Sequence, residues 1–295
     1  MMWFIIALFF AGCSASYAQE VSNKIVVDEK VNTRLVKEWT ASVNSINDQQ
    51  SSTTYIVKKS GGKDNRHISK HRHAIIWIPG TTDLKKSIVL VYWFHGHYGY
   101  VPSRTFEDRT LKQFVPLAGK NNIVVVIPEM PWSVYTNTPT KRNSLLWQKS
   151  GSFLKFDEQV KAVLIKHNSN SKLGDIDYKI VGHSAGGSTI KRLGITGDLC
   201  KLSPSDVVWS DSSYGWWLDN AWAGCLKSHP NIKVTVLVVK WGRPWKAATR
   251  FISGLRSKPE RLVLKVLKQP KWSHKLIGDN SVRLSDLLGE ANETN

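Results

Sequence analysis

The sequence predicts an α/β fold with a mostly parallel central sheet and helices on both faces. Continuous apolar runs at 87–94, 122–127, 206–211 and 233–239 are typical of buried parallel strands. Segments with helical spacing separate several of these runs, and such alternation indicates repeated strand–helix–strand units. A chain of 295 residues is long enough to form one large domain of this kind.

Residues 1–18 are expected to be a signal peptide. The apolar run 3–11 is too short to span a bilayer, and residues 16–18 (Ser-Tyr-Ala) form a small-x-small cleavage site. As an alternative, residues 10–13 resemble a bacterial lipoprotein box, in which Cys13 would be acylated, and an uncleaved anchor is a third option. We therefore expect a secreted or periplasmic protein, or one anchored to lipid through Cys13, with no transmembrane span in the mature chain.

Before the main apolar runs, residues 53–58 and 73–78 predict two early strands in an antiparallel hairpin. Farther along the chain, the long segment 131–153 contains turn-forming residues and little periodicity. Loops of this length are often functional, so the segment is interpreted either as a lid or as a plain surface insertion.

The most specific motif is Gly-x-Ser-x-Gly at residues 182–186, directly after the apolar run 178–181. A serine on a sharp turn between a strand and a helix adopts a strained backbone, so its neighbours two positions away must be nearly free of side chains. The motif therefore predicts that Ser184 is a nucleophile at the end of a strand.

Two partners for a nucleophilic serine follow in the chain. Asp211 ends the strand 206–211, and His274 comes a few residues after the apolar run 261–267. Each candidate lies just past the C-terminal end of a predicted strand, which is the edge where open parallel sheets place their functional sites.

These features resemble the esterase and lipase branch of the α/β-hydrolase family, over about residues 72–278. The resemblance is carried by the Ser184 turn, the pair His95-Gly96 after the strand 87–94, the strand–helix alternation and the terminal His274. It implies that residues 72–295 are an α/β-hydrolase catalytic domain, preceded by an extension with the first strand at 19–71.

The resemblance also implies roles for individual residues. Ser184 would be the nucleophile and His274 the general base, while the backbone N–H groups of Ala185 and His97 would stabilise the oxyanion. This chemistry requires no metal and no organic cofactor.

The position of the acid departs from the commonest pattern of the family. In that pattern the acid follows the second strand after the nucleophile, which here is the strand 233–239. This strand runs into residues 240–245, which include no Asp or Glu. The preceding strand ends in Asp211, a position that a subset of lipases uses, so Asp211 is the preferred acid. Asp219 is the alternative.

Cys200 and Cys225 flank the strand that carries Asp211. In an oxidising compartment they would be able to form a disulfide that closes a loop of about 25 residues and adds roughly 3 kcal/mol of stability. The alternative is a pair of buried free thiols.

Tryptophan is unusually abundant after the predicted strand ends. Flat rings at this edge would be able to stack on sugars, aromatic acyl groups or alkyl chains, although large aromatic residues often serve only to pack outer helices. The candidates for substrate binding are Trp132, Trp216, Trp217, Trp241 and Trp245.

The chain is strongly basic, with a formal net charge of +18. This charge favours anionic surroundings such as an envelope surface, and no recognition motif for nucleic acid accompanies it. Lys240, Arg243 and Lys246 lie near the proposed site, where they would attract an acidic substrate or simply form a solvated surface.

A cluster of histidines, His67, His71 and His73, lacks Cys or carboxylate partners. It is interpreted as the surface of an edge strand rather than as a metal site.

The sequence thus predicts an exported serine hydrolase that cleaves carboxylic esters, either small molecules or esters on a polymer. Two alternatives remain at this point. An acyltransferase would use the same nucleophile with an alcohol in place of water. A non-catalytic protein that binds carbohydrate or the envelope would keep the scaffold without the activity.

Overall fold

A computed structural model describes residues 24–27, 52–58, 73–96, 114, 122–130, 147–269 and 271–280, with residues 24–27 described in their backbone alone. Several expected features lie outside these residues. They are the signal segment with Cys13, His67, His71, His97, Trp132 and most of the segment 131–153.

The described strands form a single nine-stranded sheet in the order β1-β2-β3-β5-β4-β6-β7-β8-β9. The strands are β1 Lys24–Val27, β2 Ser52–Lys58, β3 His73–Pro79, β4 Ile88–Phe94, β5 Ile123–Pro128, β6 Ile176–His183, β7 Asp206–Ser210, β8 Lys233–Val239 and β9 Leu262–Leu267. Only β3 runs antiparallel to its neighbours among these strands, because it pairs in that sense with both β2 and β5. The predicted antiparallel hairpin and mostly parallel sheet are therefore confirmed.

The parallel part of the sheet explains where the functional residues can meet. Strand β6 pairs in parallel with β4 on one side and with β7 on the other, and β7 continues in parallel to β8 and β9. The carboxyl ends of β4, β6, β7, β8 and β9 consequently lie along one edge.

Helices α1 to α5 pack on one face of this sheet. The described helices are α1 Ser152–His167, α2 Gly187–Thr196, α3 Asp198–Leu202, α4 Trp217–Gly224, α5 Arg243–Ser253 and α6 His274–Gly278. Alternate strand residues such as Tyr92, Val126 and Trp209 form one core with helical residues of α1 to α5. Their neighbours on the other face, such as Val91 and Val125, are equally buried, so both faces of the sheet are covered.

A disulfide joins Cys200 in α3 to Cys225 just after α4, with the two Cα atoms 6.1 Å apart. The bridge closes a loop of 25 residues that contains β7 and α4. A covalent link of this length restricts the unfolded chain and stabilises the fold by roughly 3 kcal/mol. It therefore stabilises the part of the molecule that carries Asp211.

Strand order, parallel pairing and a serine turn after the central strand β6 together define the α/β-hydrolase fold, as the sequence predicts. The segment 19–71 contributes β1 and β2 to the same sheet, through the parallel pair β1–β2 and the antiparallel pair β2–β3.

Candidate active site

Ser184 lies at the sharp turn between β6 and α2, and its side chain is almost fully buried. Its φ angle is 52°, in the left-handed region that residues with a side chain rarely adopt. A Cβ atom on Gly186 would overlap the backbone carbonyl of Phe94, so the chain can return against β4 only with glycine at this position. The strained serine and its glycine neighbour are the local geometry of a nucleophile turn.

Ala185 directly follows the serine, in a single 3-10 turn at Ser184–Gly186 that leads into α2. The first N–H groups of a helical segment have no acceptor within the helix. The N–H of Ala185 is therefore able to donate to a negatively charged oxygen that forms at the serine.

His274 begins α6 and contacts Asp211, which immediately follows β7. The His274 Nδ1 atom lies 2.6 Å from the Asp211 Oδ2 atom. The other carboxylate oxygen, Oδ1, accepts the backbone N–H of Val239 at 3.1 Å, which fixes the plane of the buried carboxylate. Because Nδ1 faces a carboxylate, it carries the proton, and Nε2 is left as the basic nitrogen.

Asp219, the alternative acid, has a different partner. One of its oxygens lies 3.0 Å from a guanidinium nitrogen of Arg250. The same nitrogen of Arg250 donates to the carbonyl of Gly215 at 2.6 Å. In the structure the imidazole of His274 thus pairs with Asp211 and not with Asp219.

His183, between Gly182 and the serine, connects the nucleophile turn to His274. Its Nε2–H group donates to the backbone carbonyl of His274 at 3.0 Å, and the two imidazole rings lie 4.7 Å apart between centroids. The ring of Trp93 stacks on it at 6.5 Å. A Cβ atom on Gly278 would come within 2.7 Å of the His183 ring, so α6 packs closely against this side chain. His183, the residue before Ser184, therefore contacts both the start and the end of α6.

Desolvation in this packing and, to a smaller extent, the charge of the neighbouring His274 lower the pKa of His183 to about 4. The side chain is accordingly neutral at pH 7, with its proton on Nε2. A neutral ring in contact with His274 adds no positive charge next to its imidazole.

His95 organises the loop that follows β4. Its Nε2 atom accepts the backbone N–H of Met130 at 3.0 Å, so its Nδ1–H group is the donor to the carbonyl of Gly96 at 2.8 Å. A Cβ atom on Gly96 would lie 2.9 Å from the Cβ of Ser184, which places this loop directly against that serine. His97, the predicted second oxyanion donor, follows immediately but lies outside the described residues.

Tyr214 is a site residue that the sequence analysis missed. Its ring packs edge-on against Trp217, with the ring centroids 5.4 Å apart. Burial raises the pKa of Tyr214 and the charge of Asp211 adds to this effect, whereas the side chain of Ser184 and the charge of Arg243 partly oppose it. No motif surrounds Tyr214, and only the parallel pairing of β6 with β7 predicts that residues after β7 come near the serine.

The predicted tryptophan candidates divide into two groups. Trp217 and Trp245 are partly buried and pack against the core. Trp216 is 62% exposed, with the Arg250 guanidinium lying over its ring, and Trp241 is 68% exposed. Trp241 also has a φ angle of 72°, an unusual conformation for an aromatic residue. Only Trp216 and Trp241 therefore present open ring surface among the four that the structure describes.

The described residues contain no group of three or more His, Cys, Asp or Glu side chains arranged to hold a metal ion. Within the same part of the chain, no helix combines the length and the apolar character that crossing a bilayer requires.

The lowered pKa of His183 predicts a pH dependence of stability. Between pH 6.5, the ordinary value for histidine, and pH 4, the unfolded chain binds a proton that the folded protein excludes. The free energy of unfolding should therefore decrease as the pH falls through this range. Urea unfolding of the wild type and of His183→Gln, which keeps a donor without titrating, should show a shallower pH slope in the variant. Parallel slopes would contradict this assignment.

No protein-family model matches this sequence, and no curated protein is similar enough in sequence to count as a relative. Three solved structures illustrate its structural likeness. An IroE-like serine hydrolase from Shewanella oneidensis is 16% identical, with 77% of this chain and 78% of that chain covered and a TM-score of 0.45.

An S-formylglutathione hydrolase from Agrobacterium tumefaciens is 12% identical over 78% of this chain and 93% of that one, with a TM-score of 0.45. An esterase from Rhizomucor miehei is 13% identical over 90% and 92%, also with a TM-score of 0.45. At these identities the likeness concerns the fold alone. The sheet topology and the serine turn of the chain itself are those of an α/β-hydrolase fold.

Proposed function

We propose that this protein is an exported serine hydrolase that cleaves carboxylic esters. The observation that carries the proposal is the contact of 2.6 Å between His274 and the buried carboxylate of Asp211, together with the φ angle of 52° at Ser184, whose neighbour His183 binds the backbone carbonyl of His274. A buried carboxylate that orients an imidazole next to a strained serine is the arrangement that activates a hydroxyl group for attack on an acyl carbon.

In the proposed acylation step, the Ser184 oxygen attacks the ester carbonyl while His274 Nε2 takes the serine proton. Asp211 stabilises the imidazolium that forms and remains ionised. The N–H of Ala185 donates to the tetrahedral oxyanion, and the N–H of His97 is proposed as the second donor. When the tetrahedral intermediate collapses, the bond to the alcohol breaks and His274 returns the proton to the departing alcohol oxygen.

The acyl-enzyme then reacts with an acceptor by the same steps in reverse order. Water as the acceptor gives a carboxylic acid and free enzyme, whereas an alcohol gives a new ester, as in the acyltransferase alternative. The partly exposed imidazole of His274 lies where bulk water reaches the base. This exposure favours hydrolysis over transfer, and a product assay with added alcohol separates the two reactions.

Export is supported by the disulfide between Cys200 and Cys225, because such bonds persist mainly in oxidising compartments. Intact-mass analysis of the protein recovered from its producing cells should give a chain that begins at Gln19. An acylated chain that begins at Cys13 would instead establish the lipoprotein alternative, and a chain that retains residues 1–18 would contradict processed export.

An activated serine should react with a fluorophosphonate. Intact mass after exposure should show a single adduct on the wild type and none on Ser184→Ala, with kcat for an ester lowered by roughly a thousandfold or more in the variant. Circular dichroism provides the control for folding. A folded wild type without an adduct would contradict the proposal and favour a non-catalytic binding protein.

The identity of the acid can be tested with two matched substitutions. Asp211→Asn should lower kcat roughly ten-thousandfold, because the amide no longer stabilises the imidazolium and favours the wrong tautomer of His274. Asp219→Asn, which alters only the exposed contact with Arg250, should change kcat by less than about threefold. The reverse pattern in steady-state kinetics would assign the acid to Asp219.

A further inference from the structure

The proposed general base lies on a short and exposed element. His274 is the first residue of α6, which has five residues, and 44% of its side chain is exposed. Asp211 binds one nitrogen of the imidazole, which fixes one point of the ring but not the backbone that carries it. That backbone needs a second anchor if the other nitrogen is to stay within reach of Ser184.

His183 supplies this anchor from the end of β6. Its Nε2–H group donates to the carbonyl oxygen of His274 at 3.0 Å, and the two ring centroids lie 4.7 Å apart with 35° between the ring planes. His183 directly precedes Ser184 in the chain. A movement of the serine turn would consequently carry the backbone of His274 with it.

The imidazole of His183 is itself enclosed by neighbouring elements. Trp93 stacks on it with the ring centroids 6.5 Å apart, and a Cβ atom on Gly96 would lie 3.3 Å from its Nδ1 atom. On the side of α6, a Cβ atom on Gly278 would come within 2.7 Å of its Nε2 atom. Close packing by β4, by the loop after β4 and by α6 therefore restricts the orientation of the ring.

The protonation state of His183 suits a role beside a base. A carbonyl oxygen can only accept a hydrogen bond, so Nε2 of His183 carries the proton. Desolvation, together with the charge of His274, lowers the pKa of His183 to about 4, and the ring is neutral at pH 7. In the proposed acylation step His274 becomes an imidazolium, and a neutral ring 4.7 Å away does not repel that charge.

We propose that His183 is a positioning residue for the general base His274. The inference rests on the proposed ester hydrolysis and deepens it. His183 acts through His274 rather than on the substrate, because its bond keeps the imidazole where Nε2 can take the proton of Ser184. Its loss should therefore lower kcat far more than it raises KM.

Two substitutions separate the hydrogen bond from the ring. His183→Phe keeps a ring without a donor and should lower kcat roughly tenfold, the effect of one lost hydrogen bond, with KM changed by less than about twofold. His183→Gln keeps an N–H donor at a similar reach and should restore kcat to within about threefold of the wild type. His167→Phe is the matched control, because His167 bonds to Tyr55 of β2 and to no residue of the proposed triad, and it should leave both constants unchanged.

Gly278→Ala tests the same contact without altering either histidine. The added methyl group must displace the ring of His183 or move α6, so kcat should again fall roughly tenfold or more. In a His183→Ala background, which lacks the ring, the same substitution should have little further effect, because changes that act on one contact are not additive. Circular dichroism checks that each variant is folded. An unchanged kcat in His183→Phe, an equal fall in His183→Gln, or fully additive effects in the double variant would overturn the proposal.

NMR separates failure of the positioning role from failure of the proposed hydrolysis. The proton on His274 Nδ1, held in the contact of 2.6 Å with Asp211, should give a deshielded resonance whether or not the protein turns over an ester. This resonance should be shifted or broadened in His183→Phe, restored in His183→Gln and unchanged in His167→Phe. That pattern in a protein that forms no fluorophosphonate adduct would support the positioning role and reject the hydrolysis. An identical resonance in His183→Phe and in the wild type would reject the positioning role alone.

Discussion

The backbone crowding around Ser184 is the constraint on which the rest of the site depends. After β6 the chain turns sharply at Ser184 and continues into α2. It passes so close to the Phe94 carbonyl that position 186 cannot carry a side chain. This packing holds Ser184 at a φ angle of 52°. Because β6 lies between β4 and β7, the same turn also determines which residues can surround the serine.

The residue after β7, like the serine after β6, has a positive φ angle. Asp211 has a φ angle of 45°, and its own N–H donates to the carbonyl of Leu237 on β8 while its carboxylate accepts from Val239. The backbone bonds to β8 thus hold a buried charge in one orientation before His274 binds it. His183 supplies the complementary restraint from β6, through its bond to the His274 carbonyl. His274 is therefore held in place through both its side chain and its backbone.

How far the sequence alone could lead is clear from individual residues. The apolar runs and the Gly-x-Ser-x-Gly motif predict the strands and the serine turn, because both depend on local steric rules. The local sequence does not decide whether Asp211 or Asp219 is the acid, since both carboxylates follow β7 within nine residues. The answer depends on which of them the strand pairing brings to His274. The place of Tyr214 is not visible in the sequence for the same reason, because the position of its loop depends on the register of β6 and β7 and on the bond between Ser213 and Pro244. The tryptophans show that residue type alone does not predict exposure.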